Sequence, residues 1–160
     1  MANSAIRGFV GEFRFLSNFY QHPFEWRGIV YPSSEHAFVA GKTTDKGLRR
    51  EIALAPTSAA VKALGRKLEL RPGWDEYVSV LTMREVLDAK FADPGLGKLL
   101  MTTTPHYLVE TNMWHDQKWG DCACGRPACK SAGVNLLGIC LMDLRDDLIH
   151  EARKSLSRRA

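Results

Sequence analysis

The chain has 160 residues, 45% hydrophobic and 25% charged, the make-up of an ordinary globular protein with enough apolar side chains for a core. No apolar run approaches the roughly 18 residues of a membrane-spanning helix, and Met1–Val10 lacks the apolar centre of a secretory leader, so a cytoplasmic protein without a membrane partner is expected. The net charge of +4 hints at nucleic acid only until it is located: Arg153, Lys154, Arg158 and Arg159 lie in the last nine residues, and without these four the 22 basic residues become 18, equal to the 18 acidic ones. The excess is a basic tail over residues 152–160, expected to be a solvated end. A neutral body argues against tight nucleic-acid affinity.

Residues 8–31 are rich in aromatics. Alternation in Phe13-Arg14-Phe15, Phe24-Glu25-Trp26 and Ile29-Val30-Tyr31 predicts short strands, with Arg27-Gly28 as a hairpin turn between the last two. Arg14 through Phe19 then forms a loop that carries Arg14, Ser17, Asn18 and the ring of Phe19.

Tyr31-Pro32-Ser33-Ser34-Glu35-His36 reads as a turn into a helix. Pro32 biases its predecessor away from helical angles, and Ser33 or Ser34 can cap the first N–H groups. Glu35 falls in the first turn, where the helix dipole favours an ionised carboxylate. Lys42 follows seven residues on, on the same face about two turns away. A carboxylate and a cation on one face suit a charged ligand, although the same pattern also describes a capped surface helix.

Lys46–Ala55 predicts a second helix ended by Pro56, and Thr57 or Ser58 caps a third that stops at Gly65. Arg71-Pro72-Gly73 opens a long helix to about Ala92, with Trp74, Tyr77, Leu81, Leu87 and Phe91 on one face. Asp93-Pro94 starts another over residues 95–101. A short strand is expected at His106–Glu110, and an irregular loop over Trp114–Gly133. Asn135–Lys154 closes the chain as an amphipathic helix buried through Leu136, Ile139, Cys140 and Leu144. The pattern is α+β with helices dominant, in a single domain.

The 114–133 loop holds a second polar constellation. A loop of this length in a compact domain is uncommon unless functional. Trp119-Gly120-Asp121 places a carboxylate beside a flexible glycine, and Asn135 stands at a helix start, either as N-cap or as a clamp on ligand hydroxyls or phosphates beside the free backbone donors. His36 and His115 have no Ser/His/Asp or Cys/His setting, so a nucleophilic-triad hydrolase is not expected. Cys122, Cys124 and Cys129 lie within eight residues. They can begin a structural zinc site, with His115 the best candidate for a fourth ligand and Cys140 committed to a helix face; reduced loop thiols and a disulfide are the alternatives.

Taken as an ordered set, these residues resemble the NADAR (YbiA-like, DUF1768) family. The pattern is Phe15-Leu16-Ser17-Asn18-Phe19-Tyr20, then Tyr31 to Ala37 with Lys42, then Leu64-Gly65-Arg66, Trp74 with Met83, and Lys90-Phe91. It continues through Leu108-Val109-Glu110 and Trp119-Gly120-Asp121 to Gly133 through Gly138, with Leu141-Met142. No single piece is specific, but the collinear set covers residues 11–147. The resemblance implies a compact, mainly helical YbiA-like fold and an N-glycosidase that cleaves a ribose C1–N bond. Implied substrates are small phosphorylated nucleotides, namely aminouracil ribotides of riboflavin synthesis, or ADP-ribosyl-guanine, with transient nucleic-acid contact if the guanine lies in DNA. A module that binds ADP-ribose or a nucleotide without cleaving it is the alternative. Under this reading Glu35 is the catalytic carboxylate and Asp121 the second acid. Arg14, Lys42 and Arg66 are expected on phosphate, Asn18 and Asn135 as polar clamps, and Phe19 and Trp119 as stacking surfaces. No metal is needed for the reaction. The Cys-rich stretch between Asp121 and Gly133 departs from the shorter loop of typical members.

Overall fold

The computed structural model describes residues 4–158, which divide into two compact units. One joins the residues up to Ser17 with those from Asp93 onward; the other is Asn18–Ala92. Most of the chain is helical, and its short strands pair two by two, so the α+β class with helices dominant holds.

In the unit Asn18–Ala92, β2 (Phe24–Trp26) and β3 (Ile29–Tyr31) form the expected antiparallel hairpin. Its turn residues Arg27 and Gly28 take φ of 53° and 76°, the left-handed pair that a two-residue hairpin loop requires. Three helices follow: α1 (Ser34–Ala40), α2 (Lys46–Ala53) and α3 (Ser58–Gly65). Asp45 caps α2 by accepting from Leu48 N–H at 2.9 Å, and Thr57 caps α3 through Ala60 N–H at 3.1 Å. Phe24, Trp26, Tyr31, Val39, Ile52, Val61 and Val86 meet in one core, each buried side chain contributing about 1.5–3 kcal/mol of transfer free energy.

The long helix of this unit starts differently from expectation. Trp74–Val78 is a π turn, with Val78 N–H reaching Gly73 C=O at 3.0 Å, and α4 (Ser79–Phe91) continues from it. Tyr77 and Leu81, expected on the buried face, are exposed, while Met83, Val86, Leu87, Lys90 and Phe91 form the inward stripe at helical spacing.

In the other unit, β1 (Ala5–Arg7) pairs in parallel with β4 (Tyr107–Val109). Phe13–Phe15 is not a strand but part of a 3₁₀ helix, Gly11–Leu16. Adjacent Phe15 and Leu16 are both buried, which a turn of helix permits and a two-faced strand does not. Asp93 caps α5 (Pro94–Thr102) by accepting from Gly95 and Leu96 N–H, each at 2.9 Å. Arg145, buried on the last helix, donates from Nη1 to Thr103 Oγ1 at 3.1 Å and to His106 C=O at 2.8 Å. That helix, α6 (Leu136–Ser157), runs three residues beyond its expected end, so the basic tail is largely helical and exposed, with Arg159 and Ala160 outside the described residues. Its buried stripe is Leu137, Cys140, Leu141 and Leu144; Leu136 and Ile139 are only partly covered. Among the described residues no helix is long and apolar enough to cross a membrane.

Candidate functional site

In the unit Asn18–Ala92, the start of α1 carries the densest polar chemistry. Ser33 occupies the N-cap position in extended backbone but caps nothing with its side chain. Its Oγ instead meets His36 Nδ1 at 2.8 Å, and His36 Nε2 lies 3.1 Å from Ala55 C=O. A carbonyl only accepts, so Nε2 carries a proton, and in the neutral ring that burial favours Nδ1 accepts from the Ser33 hydroxyl. Burial pushes His36 below the ordinary histidine value, with the Ala55 carbonyl pulling the other way. His36 is therefore structural, and it frees the first turn for its neighbour.

That neighbour, Glu35, is 8% exposed rather than on a surface face. Its N–H donates to Asn18 C=O at 2.9 Å. Asn18 is buried too: its Nδ2 rests 3.7 Å from Met83 Sδ, and its Oδ1 has no hydrogen-bond partner. A buried acceptor left unmatched costs about 1–3 kcal/mol. Ser34 Oγ, the next residue's hydroxyl, is likewise buried and unmatched. Burial lowers the proton affinity of Lys42, while the carboxylates of Glu35 and Asp75 oppose the shift, which puts Lys42 within electrostatic reach of Glu35. Phe19 carries Lys62 Nζ 4.6 Å above its ring. Arg66 sits exposed at the end of α3.

Sequence reasoning gave no role to Lys90, which is fully buried. Its Nζ lies 5.7 Å from the Tyr20 ring and 5.1 Å from that of Phe91. Burial lowers its pKa to about 7. The helical stripe through Met83, Val86, Leu87 and Phe91 was the signal that it points inward. A lysine retuned to neutrality is a mark of functional sites.

In the other unit, Asp121 opens β6 (Asp121–Cys122), which pairs in parallel with β5 (Thr111–Asn112). Its Oδ2 lies 3.2 Å from Arg7 Nη1, and its Oδ1 accepts from Gly133 N–H at 2.9 Å. A Cβ on Gly133 would collide with the Gly120 carbonyl, so only glycine allows this approach. Trp119 is half-buried just before, on a turn that Asp116 Oδ1 caps through the N–H groups of Lys118 and Trp119 at 3.1 and 2.8 Å. Arg14 is exposed on the 3₁₀ helix.

The start of α6 is not a free anion site. Leu136 and Leu137 donate their N–H groups to the carbonyls of Lys118 and Trp119, both at 3.1 Å. Asn135, left-handed at φ 59°, accepts from Glu110 N–H at 3.0 Å and donates to Leu108 C=O at 2.8 Å. Its amide is committed to the β4 strand end, and the helix donors expected for a ligand already have backbone partners.

The loop between β5 and α6 gathers a further group. His115 and Cys122, Cys124 and Cys129 bring one donor atom each to within 4.8 Å of one another. His115 Nδ1 lies 3.3 Å from the sulfurs of both Cys124 and Cys129, and His115 N–H donates to Cys122 Sγ at 3.3 Å. None of these three cysteines is in a disulfide. Burial, with the neighbouring sulfurs, pushes Cys129 up to about 12. Cys122 falls below its ordinary value despite burial, because Cys124, His115 and Cys129 donate towards its sulfur.

Comparison with known proteins places the whole chain rather than its single residues. A family model described as the NADAR domain matches residues 8–149. Proteins named N-glycosidase YbiA from Escherichia coli (strain K12) and Shigella flexneri are each 39% identical over 139 residues, 85% of this chain and 82% of theirs. A riboflavin biosynthesis protein of Vibrio vulnificus (strain YJ016) is 32% identical over 144 residues, 89% of this chain and 37% of that protein. The NMR structure of the E. coli protein YbiA superposes with a TM-score of 0.80 at 34% identity, covering 95% of this chain and 89% of that one.

Proposed function

The chain belongs to the NADAR family and is an N-glycosidase, and we propose that it hydrolyses the ribose C1–N bond of a phosphorylated nucleoside, with Glu35 as the carboxylate at C1. The observation that carries this is a buried Glu35 in the first turn of α1, electrostatically coupled to Lys42. Breaking a C1–N bond builds positive charge on the sugar in an oxocarbenium-like state. The first turn of a helix favours the ionised form of a carboxylate, which stabilises that charge where it develops. As the bond breaks, a water oxygen joins C1, and the proton that the water gives up replaces the sugar on the departing nitrogen.

Glu35 orients that water. Lys90, with its pKa lowered to about 7, is assigned as the relay for that proton, giving one to the leaving base and regaining the one that the water releases. Lys42 takes phosphate. Asn18 Oδ1, buried and unmatched, accepts from a substrate hydroxyl. Phe19 and Trp119 are assigned as stacking surfaces, and Arg14 and Arg66 as outer phosphate contacts. Asp121 holds two donors already, which suits ligation of ribose hydroxyls better than activation of water. Asn135 acts by positioning Glu110 and Leu108. Any ion at the cysteine cluster is structural in this reading.

For the substrate we favour an aminouracil ribotide of the riboflavin route, a reading supported by the name of the Vibrio relative. The test is a panel of that ribotide, ADP-ribosylated guanosine and DNA, and NAD, with released bases read by mass spectrometry. Glu35→Gln should cut turnover by about 10²–10⁴-fold and leave binding in place. Full turnover by Glu35→Gln sinks the assignment. Steeply salt-dependent release from modified DNA would transfer the substrate to nucleic acid, and binding of ADP-ribose with no release at all would make the chain a sensor.

A further inference from the structure

We infer that Cys122, Cys124 and Cys129, with Nδ1 of His115, hold one structural zinc ion that organises the loop over residues 114–133. Zinc–sulfur bonds of about 2.3 Å and zinc–nitrogen bonds of about 2.05 Å at tetrahedral angles put neighbouring sulfurs about 3.8 Å apart, and sulfur and nitrogen about 3.6 Å apart. The four donor atoms lie within 4.8 Å of each other, and both His115–sulfur distances are 3.3 Å. The four donor atoms thus lie within about an ångström of the spacings of one tetrahedral coordination shell.

The four ligands come from separate backbone settings: the turn after β5, the end of β6, the residue before the Gly125 turn, and a 3₁₀ helix at Pro127–Cys129. His115 is turned towards the sulfurs from a left-handed backbone, φ 69°, which a non-glycine residue adopts at a cost. His115 N–H donating to Cys122 Sγ is the outer hydrogen bond that steadies a zinc thiolate. Three soft sulfurs and an imidazole select zinc over calcium or magnesium, and a filled set of four protein ligands marks a structural site rather than a reactive one. The loop also has need of it. Apart from the Asp121–Cys122 strand and one 3₁₀ turn it has no regular structure, and Trp114 stays exposed.

The inference stands apart from the glycosidase reading, because its readouts are metal content and spectra. Protein purified without chelator should carry about one zinc per chain by elemental analysis. Titration with p-mercuribenzoate should release that zinc as the thiols are modified. Exchange to cobalt should give a sulfur-to-metal charge-transfer band and the intense visible bands of a tetrahedral site. Cys124→Ser and His115→Ala should each lower zinc retained against a chelator about tenfold or more, while Cys140→Ser should retain it fully. Zinc-free protein whose thiols all react and which gives no cobalt charge-transfer band would overturn the inference. A mass two hydrogens short would replace the metal with a disulfide, and iron in place of zinc would refute the ion's identity.

Discussion

Lys90 offers the sharpest test of the physical reading. Its side chain is fully buried, and burial lowers its pKa from 10.5 to about 7. The folded chain therefore refuses a proton that the unfolded chain accepts between those values. Where the unfolded state binds more protons, stability rises with pH. A tenfold change in proton affinity is worth about 1.4 kcal/mol, so raising the pH from 7 to 10 should relieve about 3–4 kcal/mol at this one site. The rings of Tyr20 and Phe91 at 5.7 and 5.1 Å return only about 0.5–2 kcal/mol through cation–π attraction, so burial wins. Lys90→Met keeps the volume and removes the charge. Urea unfolding at pH 7 should show the variant about 2–4 kcal/mol more stable than wild type, a midpoint shift of about 1–2 M. The two curves should converge near pH 10. Parallel pH dependences in the two proteins would refute the argument, because a lysine that stays protonated in the fold contributes no such slope.

Two further outcomes follow from other sites. Asp121→Asn keeps an acceptor for Gly133 N–H and loses only the exposed ion pair to Arg7, so stability should change by less than about 1 kcal/mol, while activity falls by less than in Glu35→Gln; undiminished activity would make Asp121 structural. His36 is neutral in the fold with its pKa lowered, and the unfolded chain takes up a proton below about 6.5 that the folded one resists. Stability should therefore drop as pH falls from 7.5 to 5.5, a dependence that His36→Gln should flatten in thermal melts.

Much of the frame was legible because local signals agreed with it. The Arg27-Gly28 turn, the Thr57 and Asp93 caps and the aromatic alternation of the hairpin each specify their own geometry within a few residues. The place of Glu35 in the first turn of α1 was legible for the same reason, since a proline, two serines and an acid mark a helix start. Failures came elsewhere. Leu81 stands two residues before Met83 and six before Leu87, spacings that put it on the far side of α4, and no sequence period announced the π turn at Trp74–Val78. Phe13 and Phe15 alternate as a strand does, yet Leu16 beside them is also buried. The role of Asn135 was hidden because its partners, Leu108 and Glu110, lie 27 and 25 residues away. Cys122, Cys124 and Cys129 were visible as a group with His115 as the candidate fourth ligand, and His115 Nδ1 lies 3.3 Å from two of their sulfurs.

The fastening of α6 to the carbonyls of Lys118 and Trp119 has a practical corollary. Those bonds join uncharged backbone groups, and such bonds respond little to ionic strength, whereas contacts between exposed charges are screened within about 8–10 Å at physiological salt. The fastening of α6 to the Trp119 turn is therefore little affected by added salt. A salt dependence of turnover would then not arise from a loosening of these α6 bonds.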